Sequence, residues 1–368
     1  MTTWIAAAAF GLEGLVKREL QALGLEARPE MGGVRFECEP DKAFEANVWL
    51  RTADRVLLLA GEGQATSFEE LFQLTLGIPW EDYLPVDARF PVSGHCARSQ
   101  LMSVRDCQSI IKKAVVERLK KRYRRGVFDE TGATYAISFS IHNNQARLML
   151  DASGDALNKR GYRTWNGEAP LRETLAAALV DLSPWRPGQP LHDPCCGTGT
   201  ILVEAAFKAA RRAPGLKRAF AMESWHFVDA SACRAARQAA EAQFDLSLVE
   251  GITGSDVDEQ ALALCKKHLQ QAGLGGKVRV HQQDLRDLPA FQPETCVIAN
   301  PPYGERLGDR KGTETLYRQM RWLETRAGAR QVCVLTANPA FERLYGRRAA
   351  RKRRLYNGRL ECEYLVFE

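Results

Sequence analysis

Four residues following a short apolar segment carry the strongest chemical signal in the chain: Asn300-Pro301-Pro302-Tyr303, directly after Cys296-Val-Ile-Ala299. The exocyclic amine of a nucleobase is a poor nucleophile because its lone pair is delocalised into the ring. An asparagine side-chain oxygen and a proline carbonyl can accept its two N–H bonds and push that lone pair out of plane, toward an electrophile. Proline stiffens the carbonyl and adds no competing donor, and the ring of Tyr303 can stack on the base. The bland alternative is a strand-ending turn with a packed tyrosine. N-P-P-Y placed at the end of a buried strand is too specific a pattern for that alternative to be preferred.

Three further stations hold acids and glycines where strands should end. Asp193-Pro-Cys-Cys-Gly-Thr-Gly-Thr200 joins a strand signal to an apolar helix, and its glycines let a ligand approach the backbone. Asp193, Cys195, Gly197, Gly199 and Thr200 are therefore candidate cofactor contacts. The run lacks the lysine of a phosphate loop, and position 202, where a dinucleotide fingerprint has its third glycine, is Leu202. Asp256, in Gly254-Ser-Asp256-Val-Asp258, can accept hydrogen bonds from both hydroxyls of a ribose, while Asp258 suits a helix N-cap. Dinucleotide folds place that acid about 20 residues after the glycines, but here residues 211–250 intervene. Asp284 ends a third strand, where its carboxylate could accept from an adenine amine.

These stations need a scaffold that brings strand ends together. From residue 169 onward strand and helix signals alternate: Leu191 to Asp193, helix Ile201 to Ala210, Gly251 to Asp256, helix Glu259 to Leu269, Val278 to Asp284, Cys296 to Asn300, Val332 to Thr336. Such alternation predicts a parallel sheet with helices on both faces, and ligands of such sheets bind beyond the carboxyl ends of the strands. Arg353 to Phe367, turning at Asn357-Gly358, predicts a terminal antiparallel hairpin. The earlier residues read as a small α+β unit (1–50), a second unit to residue 153 with a helix near 110–119 and a hairpin turning at His142-Asn143-Asn144, and a catalytic unit over 154–368.

The chain has 368 residues, 45% hydrophobic and 26% charged, which excludes a disordered or low-complexity protein. Its ten cysteines show no C-x-x-C spacing, and no pair of histidines lies nearby; this argues against a zinc site or a disulfide scaffold and fits a reducing cytosol. No apolar run is long enough for a membrane span and the N-terminus lacks a basic leader, so a cytoplasmic protein with no membrane partner is expected. The net charge of +6 is mild, but it is concentrated. Residues 112–125 and 343–354 hold fifteen Lys and Arg against the single acid Glu117. Lys112, Lys113, Arg118, Lys120, Lys121, Arg122, Arg351 and Lys352 are candidate contacts to RNA phosphates, with Arg306 beside the N-P-P-Y run.

On these motifs the chain resembles the class I S-adenosylmethionine-dependent amino-methyltransferases, and more closely the THUMP-domain RNA methyltransferases that make N2-methylguanosine in 23S ribosomal RNA. The likeness is carried by Lys159-Arg-Gly-Tyr162, Ala169-Pro-Leu-Arg-Glu-Thr-Leu175, Asp193 to Thr200 and Asn300-Pro-Pro-Tyr-Gly-Glu-Arg-Leu307, and it extends over nearly the whole chain. It implies a Rossmann-like class I methyltransferase domain with a seven-stranded sheet, preceded by ferredoxin-like (1–50) and THUMP (51–153) parts. It also implies S-adenosyl-L-methionine near Asp193, Gly197 and Gly199, with its ribose on Asp256, its adenine near Asp284, and the methyl acceptor held by Asn300 to Tyr303. The partner is then RNA, ribosomal or transfer, and no metal is needed. Rival expectations are methylation of adenine N6 in RNA or DNA, an RNA-binding assembly factor with an inactive methyltransferase fold, and a nicotinamide oxidoreductase, the last disfavoured by Leu202 and by N-P-P-Y.

Overall fold

The structure, a computed structural model, describes residues 1–163, 171–303 and 310–368. They form two compact units. The first comprises Met1–Ala8, Lys17–Leu157 and Ala219–Ala239; the second comprises Ala9–Val16, Asn158–Arg218 and Ala240–Glu368.

In chain order the first 157 residues give β1 (Thr2–Ala8), α1 (Glu13–Ala22), β2 (Ala27–Glu30), β3 (Gly33–Cys38), α2 (Pro40–Trp49), β4 (Ala53–Gln64), α3 (Phe68–Gly77), β5 (Val92–Ala97), α4 (Val104–Tyr123), β6 (Ile137–His142) and β7 (Gln145–Asp151). All seven strands lie in one sheet of order β2-β3-β1-β4-β7-β6-β5. Only the β5–β6 pair is parallel. The ferredoxin-like and THUMP parts thus share a sheet, because the twelve-residue β4 pairs with β1 on one edge and with β7 on the other. Asn143 and Asn144 both carry positive φ, the geometry of a two-residue hairpin turn whose twist matches its strands. Helix α4 is capped by the Ser103 side chain, which accepts from the Asp106 N–H, and it buries Ile111, Ala114, Val115 and Leu119.

Residues 219–239 explain why Asp256 comes so late after the glycines. They belong to the first unit: the Trp225 ring stacks on Tyr135 at 5.6 Å, and its indole N–H donates to the Thr134 carbonyl. The delay is an insertion into the catalytic unit's sequence that adds no strand to its sheet.

The rest of the chain gives α5 (Glu173–Leu182), β8 (Leu191–Asp193), α6 (Thr200–Ala209), α7 (Ala230–Ala242), β9 (Ile252–Asp256), α8 (Glu259–Gln271), β10 (Arg279–Gln282), β11 (Cys296–Ala299), α9 (Arg310–Gln319), α10 (Trp322–Thr325), β12 (Gln331–Thr336), α11 (Phe341–Tyr345), β13 (Arg351–Asn357) and β14 (Leu360–Phe367). The second sheet runs β10-β9-β8-β11-β12-β14-β13. Its first five strands are parallel, and β14 alone is reversed, antiparallel to both β12 and β13. Val297, Ala299, Val332 and Val334 pack with Tyr317, Met320 and Phe341 in one buried cluster. The order of connection reverses between β8 and β11, which are neighbours with Leu191 opposite Cys296 and His192 opposite Val297. Asp193 and Asn300 therefore emerge from adjacent carboxyl ends, at the switch point where such sheets bind ligands.

Two expected boundaries move. The third strand ends at Gln282 rather than Asp284, because Asp284 caps a short 3-10 turn by accepting from the Arg286 N–H. In the terminal hairpin Asn357 pairs with Leu360, so the turn is centred on Gly358 and Arg359, one residue beyond the expected Asn357-Gly358.

Candidate active site

A cavity of about 480 Å³ opens at the carboxyl ends of β8 and β11. Asp193, Cys195, Gly197, Thr200 and Asn300 line it, so one space joins the glycine loop to the first residue of N-P-P-Y. Its remaining described lining includes Leu171, the helix cap Asp258, and Gln260, Ala261 and Leu264 from α8. Sequence reasoning quoted Leu171 within Ala169 to Leu175, named Asp258 only as a cap and passed over Gln260, Ala261 and Leu264, although the start of the helix after Asp256 was the place to look for them.

The glycine loop is shaped for close approach. Gly197 adopts a left-handed φ of +49° with open space where a Cβ would be, so any side chain there would project unsupported from the cavity wall. Gly199, at φ +85°, caps α6, and a Cβ on it would lie 2.5 Å from the Cys265 sulfur. Helix α6 is braced from below by ions taken out of water. Arg160 pairs with Glu204 at 3.2 Å with both side chains almost wholly buried, and Arg163 pairs with Glu173 and donates to the Thr200 hydroxyl. Arg160, in the Lys159-to-Tyr162 segment, thereby acquires a physical role, since a buried pair held this way fixes register and removing either member strands a charge. The flanking stretch 164–170, and with it Ala169-Pro170, lies outside the described residues.

Three acids behave differently. Asp193 is 1% exposed. Its Oδ1 accepts from the Cys195 N–H at 3.1 Å, yet burial, reinforced by the charge of Asp256, raises its pKa to about 8. A carboxyl in that condition favours a cationic neighbour, which would restore its ionised form. Asp256 accepts the Gly197 N–H at 2.7 Å through Oδ2 and the Asp258 N–H at 3.0 Å through Oδ1. It therefore holds the loop in shape and keeps lone pairs for a ligand. Asp284 is engaged by Arg286, through Nε at 2.8 Å and through Nη2, and this side-chain hydrogen bonding holds its carboxyl below the usual range.

The N-P-P-Y motif is braced by two tyrosines. The Tyr303 hydroxyl donates to Asn300 Oδ1 at 2.6 Å, which fixes the amide orientation and leaves that oxygen able to accept once more. Tyr317, fully buried on α9, donates to the Pro302 carbonyl at 2.8 Å. Tyr317 has no motif around it, and only its place in the folded core reveals it. Residues 304–309, Arg306 included, lie outside the described residues.

The nearby thiols are poor nucleophiles. Burial and the charges of Asp193, Asp256 and Asp284 push the Cys195 thiol well above its ordinary pKa, and Cys196 is raised too. His192 bonds through both ring nitrogens to the hydroxyls of Thr253 and Ser255, and burial lowers its pKa to about 4. It is a neutral, satisfied core residue.

The basic stretches are less bare than a local count of acids suggests. Arg118 makes two bonds to Glu81, at 2.8 and 2.5 Å. Lys112 bonds Glu130 and the Phe90 carbonyl, Lys120 pairs with Glu117, and Lys113 lies over the Phe72 ring. Arg351 pairs with Glu368 and Lys352 with Glu342. Among the described residues, Lys121, Arg122, Arg124 and Arg125 at the end of α4 make no ion pair. Apart from Glu117, the acids that pair with the other cations lie outside the two stretches, 37 residues away in the case of Glu81.

Comparison with known proteins accords with this geometry. Residues 160–365 match the family described as "RMKL-like, methyltransferase domain", residues 3–57 the RlmL ferredoxin-like domain, and residues 65–151 the THUMP domain. YpsC of Bacillus subtilis (strain 168), provisionally named an RNA methyltransferase, is 40% identical over 99% of this chain and 95% of its own length. Ribosomal RNA large subunit methyltransferase K/L of Syntrophotalea carbinolica is 34% identical over 99% of this chain, which spans only 53% of that longer protein. Among solved structures, SMU.472, provisionally a methyltransferase and complexed with SAH, superimposes with a TM-score of 0.94 at 38% identity, covering 100% of this chain and 97% of that one.

Proposed function

The chain belongs to the RMKL-like methyltransferase family, and from that premise we propose that it transfers a methyl group from S-adenosyl-L-methionine to the N2 amine of a guanine in RNA, with large-subunit ribosomal RNA as substrate. The observation that carries this is the shared cavity: Asp193 and the glycine loop line one side of a space whose other described lining includes Asn300.

The residues fit the cofactor. Gly197 offers a wall that a Cβ would obstruct, and Asp193 is a buried carboxyl short of a positive partner. Asp193, Cys195, Gly197, Gly199 and Thr200 would hold the cofactor's cationic end, with Asp256 and Asp284 taking the ribose and the adenine. When bound, S-adenosylmethionine supplies a methyl carbon already activated by a sulfonium, so the protein's work is positioning. Asn300 Oδ1 accepts one N–H of the target amine. Tyr317 takes one lone pair of the Pro302 carbonyl, so the Pro301 carbonyl is the less engaged acceptor for the second N–H. Tyr303 orients the amide, and its ring is available to the base. Nucleophilic catalysis by cysteine is disfavoured, since the thiols beside the cavity stay protonated. Because the target base must reach a recessed asparagine, the substrate is single-stranded there or the base is flipped out.

The function resides in the cytoplasm on this reading. No helix among the described residues is long and apolar enough to cross a membrane. Mass mapping of ribosomal RNA from a strain lacking the gene should show one guanine without its N2-methyl group, restored by the parent gene and not by Asn300→Ala. Methyl incorporation into transfer RNA or DNA, with none into unmodified ribosomal RNA, would overturn the substrate assignment.

A further inference from the structure

The terminal hairpin carries a feature that neither the cofactor nor the target amine uses. Thr336, the last residue of β12, lies opposite Glu363 near the start of β14. Since β14 runs antiparallel to β12, the turn between β13 and β14 projects past the carboxyl end of β12, on the edge from which Asn300 emerges after β11. Asn357, at the base of that turn, is close enough to the Tyr303 hydroxyl to act on its acidity. The turn therefore adjoins the acceptor motif.

Aromatic and cationic groups gather at this rim. Phe10 is 59% exposed and meets the Tyr356 ring edge-on at 5.9 Å. Its position is fixed, because Arg353 donates to the Gly11 carbonyl through Nε at 3.2 Å and through Nη2 at 2.7 Å. Gly358 alone takes the positive φ of the turn, which puts Arg359 at the tip, exposed. Arg354 is exposed and shares Glu361 with the Tyr356 hydroxyl, at 3.3 and 3.0 Å. A pair this exposed contributes little to stability, so a phosphate can take Arg354 from Glu361 at small cost. An exposed Phe10 ring backed by the half-buried Tyr356, beside arginines, offers what a sequence-tolerant single-strand site needs: a face for a base and bidentate donors for the backbone.

We propose that Phe10, Tyr356, Arg354 and Arg359 form a docking surface for the single-stranded RNA flanking the target base. This rests on the RNA reading above and deepens it, by naming where the strand continues after the base enters the cavity. One base stacks on the Phe10–Tyr356 pair, and the neighbouring phosphates engage the two arginines.

The test uses the full chain and a fluorescein-labelled oligouridylate of about 12 nucleotides, titrated across a range of KCl concentrations. In parallel, S-adenosylmethionine binding is measured by calorimetry and methyl transfer is measured on ribosomal RNA from the deletion strain. Phe10→Ala should weaken oligonucleotide binding by about fivefold or more, the loss of one base stack. The double variant Arg354→Ala/Arg359→Ala should weaken it comparably and reduce the salt slope by about 1.4, two phosphates at roughly 0.7 each on a single strand. Glu361→Gln should tighten binding, and cofactor affinity should match the parent in all three. Parental affinity and slope in both weakened variants would overturn the surface while leaving the function intact, provided the parent methylates the RNA. If the parent methylates no RNA, the function falls instead, and the oligonucleotide titration still decides the surface.

Discussion

On the second unit's sheet, the residues read as functional stand at strand ends: Asp193 closes β8, Asp256 closes β9, and Asn300 follows β11. On the first unit, the residues read as functional lie along a helix, and Lys112 and Arg118 are met by acids from elsewhere in the fold while Lys120 is met by Glu117 on the helix itself. The difference follows from how each signal is encoded. A strand end is a local event, fixed by an apolar run and the turn that stops it, so a motif there keeps its meaning in the folded chain. The potential of a helix face is a sum over everything packed around it, and local composition does not contain that sum.

The sharpest way to break the comparison is at Asn300. Asn300→Ala removes the acceptor that the Tyr303 hydroxyl orients and leaves the glycine loop untouched. Transfer should fall about 100- to 1000-fold, as when one positioned polar group is removed from a reacting centre, while calorimetry finds cofactor affinity near that of the parent. Weak cofactor binding with normal transfer at saturation would show that the residue belongs to the loop rather than to the acceptor.

Asp193 comes next, and pH is the lever. In the free protein its carboxyl is raised to about 8, by burial first and by Asp256 second. The folded state therefore holds this proton more tightly than the unfolded chain does, and the group's contribution to stability falls as pH rises from its ordinary value of 3.8 toward 8. A cationic cofactor favours the ionised form, so affinity should climb with pH over the same interval and binding at pH 7 should release protons, visible in calorimetry as heat that depends on the buffer. Asp193→Asn should abolish this pH dependence, lower affinity by about 10- to 100-fold through loss of a charged hydrogen bond, and raise thermal stability more at pH 9 than at pH 5. An unchanged pH profile in the variant would refute the assignment. Asp256→Ala should also reduce cofactor affinity first, because Gly197 loses the carboxylate that holds its N–H.

The pattern of legibility follows the same division. The parallel sheet, its terminal hairpin and the N-P-P-Y and glycine-loop motifs were all readable, since hydrophobic alternation and turn residues specify them locally. The single sheet shared by the ferredoxin-like and THUMP parts was not, because β4 joins two patterns that each look complete alone. Nor was the assignment of residues 219–239 to the first unit, which depends on Trp225 finding Tyr135 some 90 positions earlier. Tyr317 was invisible for a related reason: a tyrosine in an amphipathic helix looks like core until its hydroxyl is seen to have a target. Tyr317→Phe deletes only that hydroxyl. It should slow transfer by about tenfold, the scale of one neutral hydrogen bond, at parental cofactor affinity and with little change in melting temperature. A fall in stability without a fall in transfer would make Tyr317 a packing residue alone.

The smallest effects decide whether the first unit's helix contributes to RNA binding at all. Arg118 is committed to Glu81, whose carboxyl its hydrogen bond holds below the usual range, and the pair is partly buried. Arg118→Ala should cost stability, visible as a lower melting temperature, and should leave the salt dependence of RNA binding unaltered. Lys121→Ala/Arg122→Ala, at the end of the same helix where no ion pair competes, should do the reverse: an unchanged melting temperature and a salt slope smaller by about 1 to 2. If both variants shift the slope equally, phosphate competes successfully with Glu81 and the whole helix face is available to RNA. If neither does, the strand is held by the second unit alone, and the charge concentration at 112–125 serves the fold of the first.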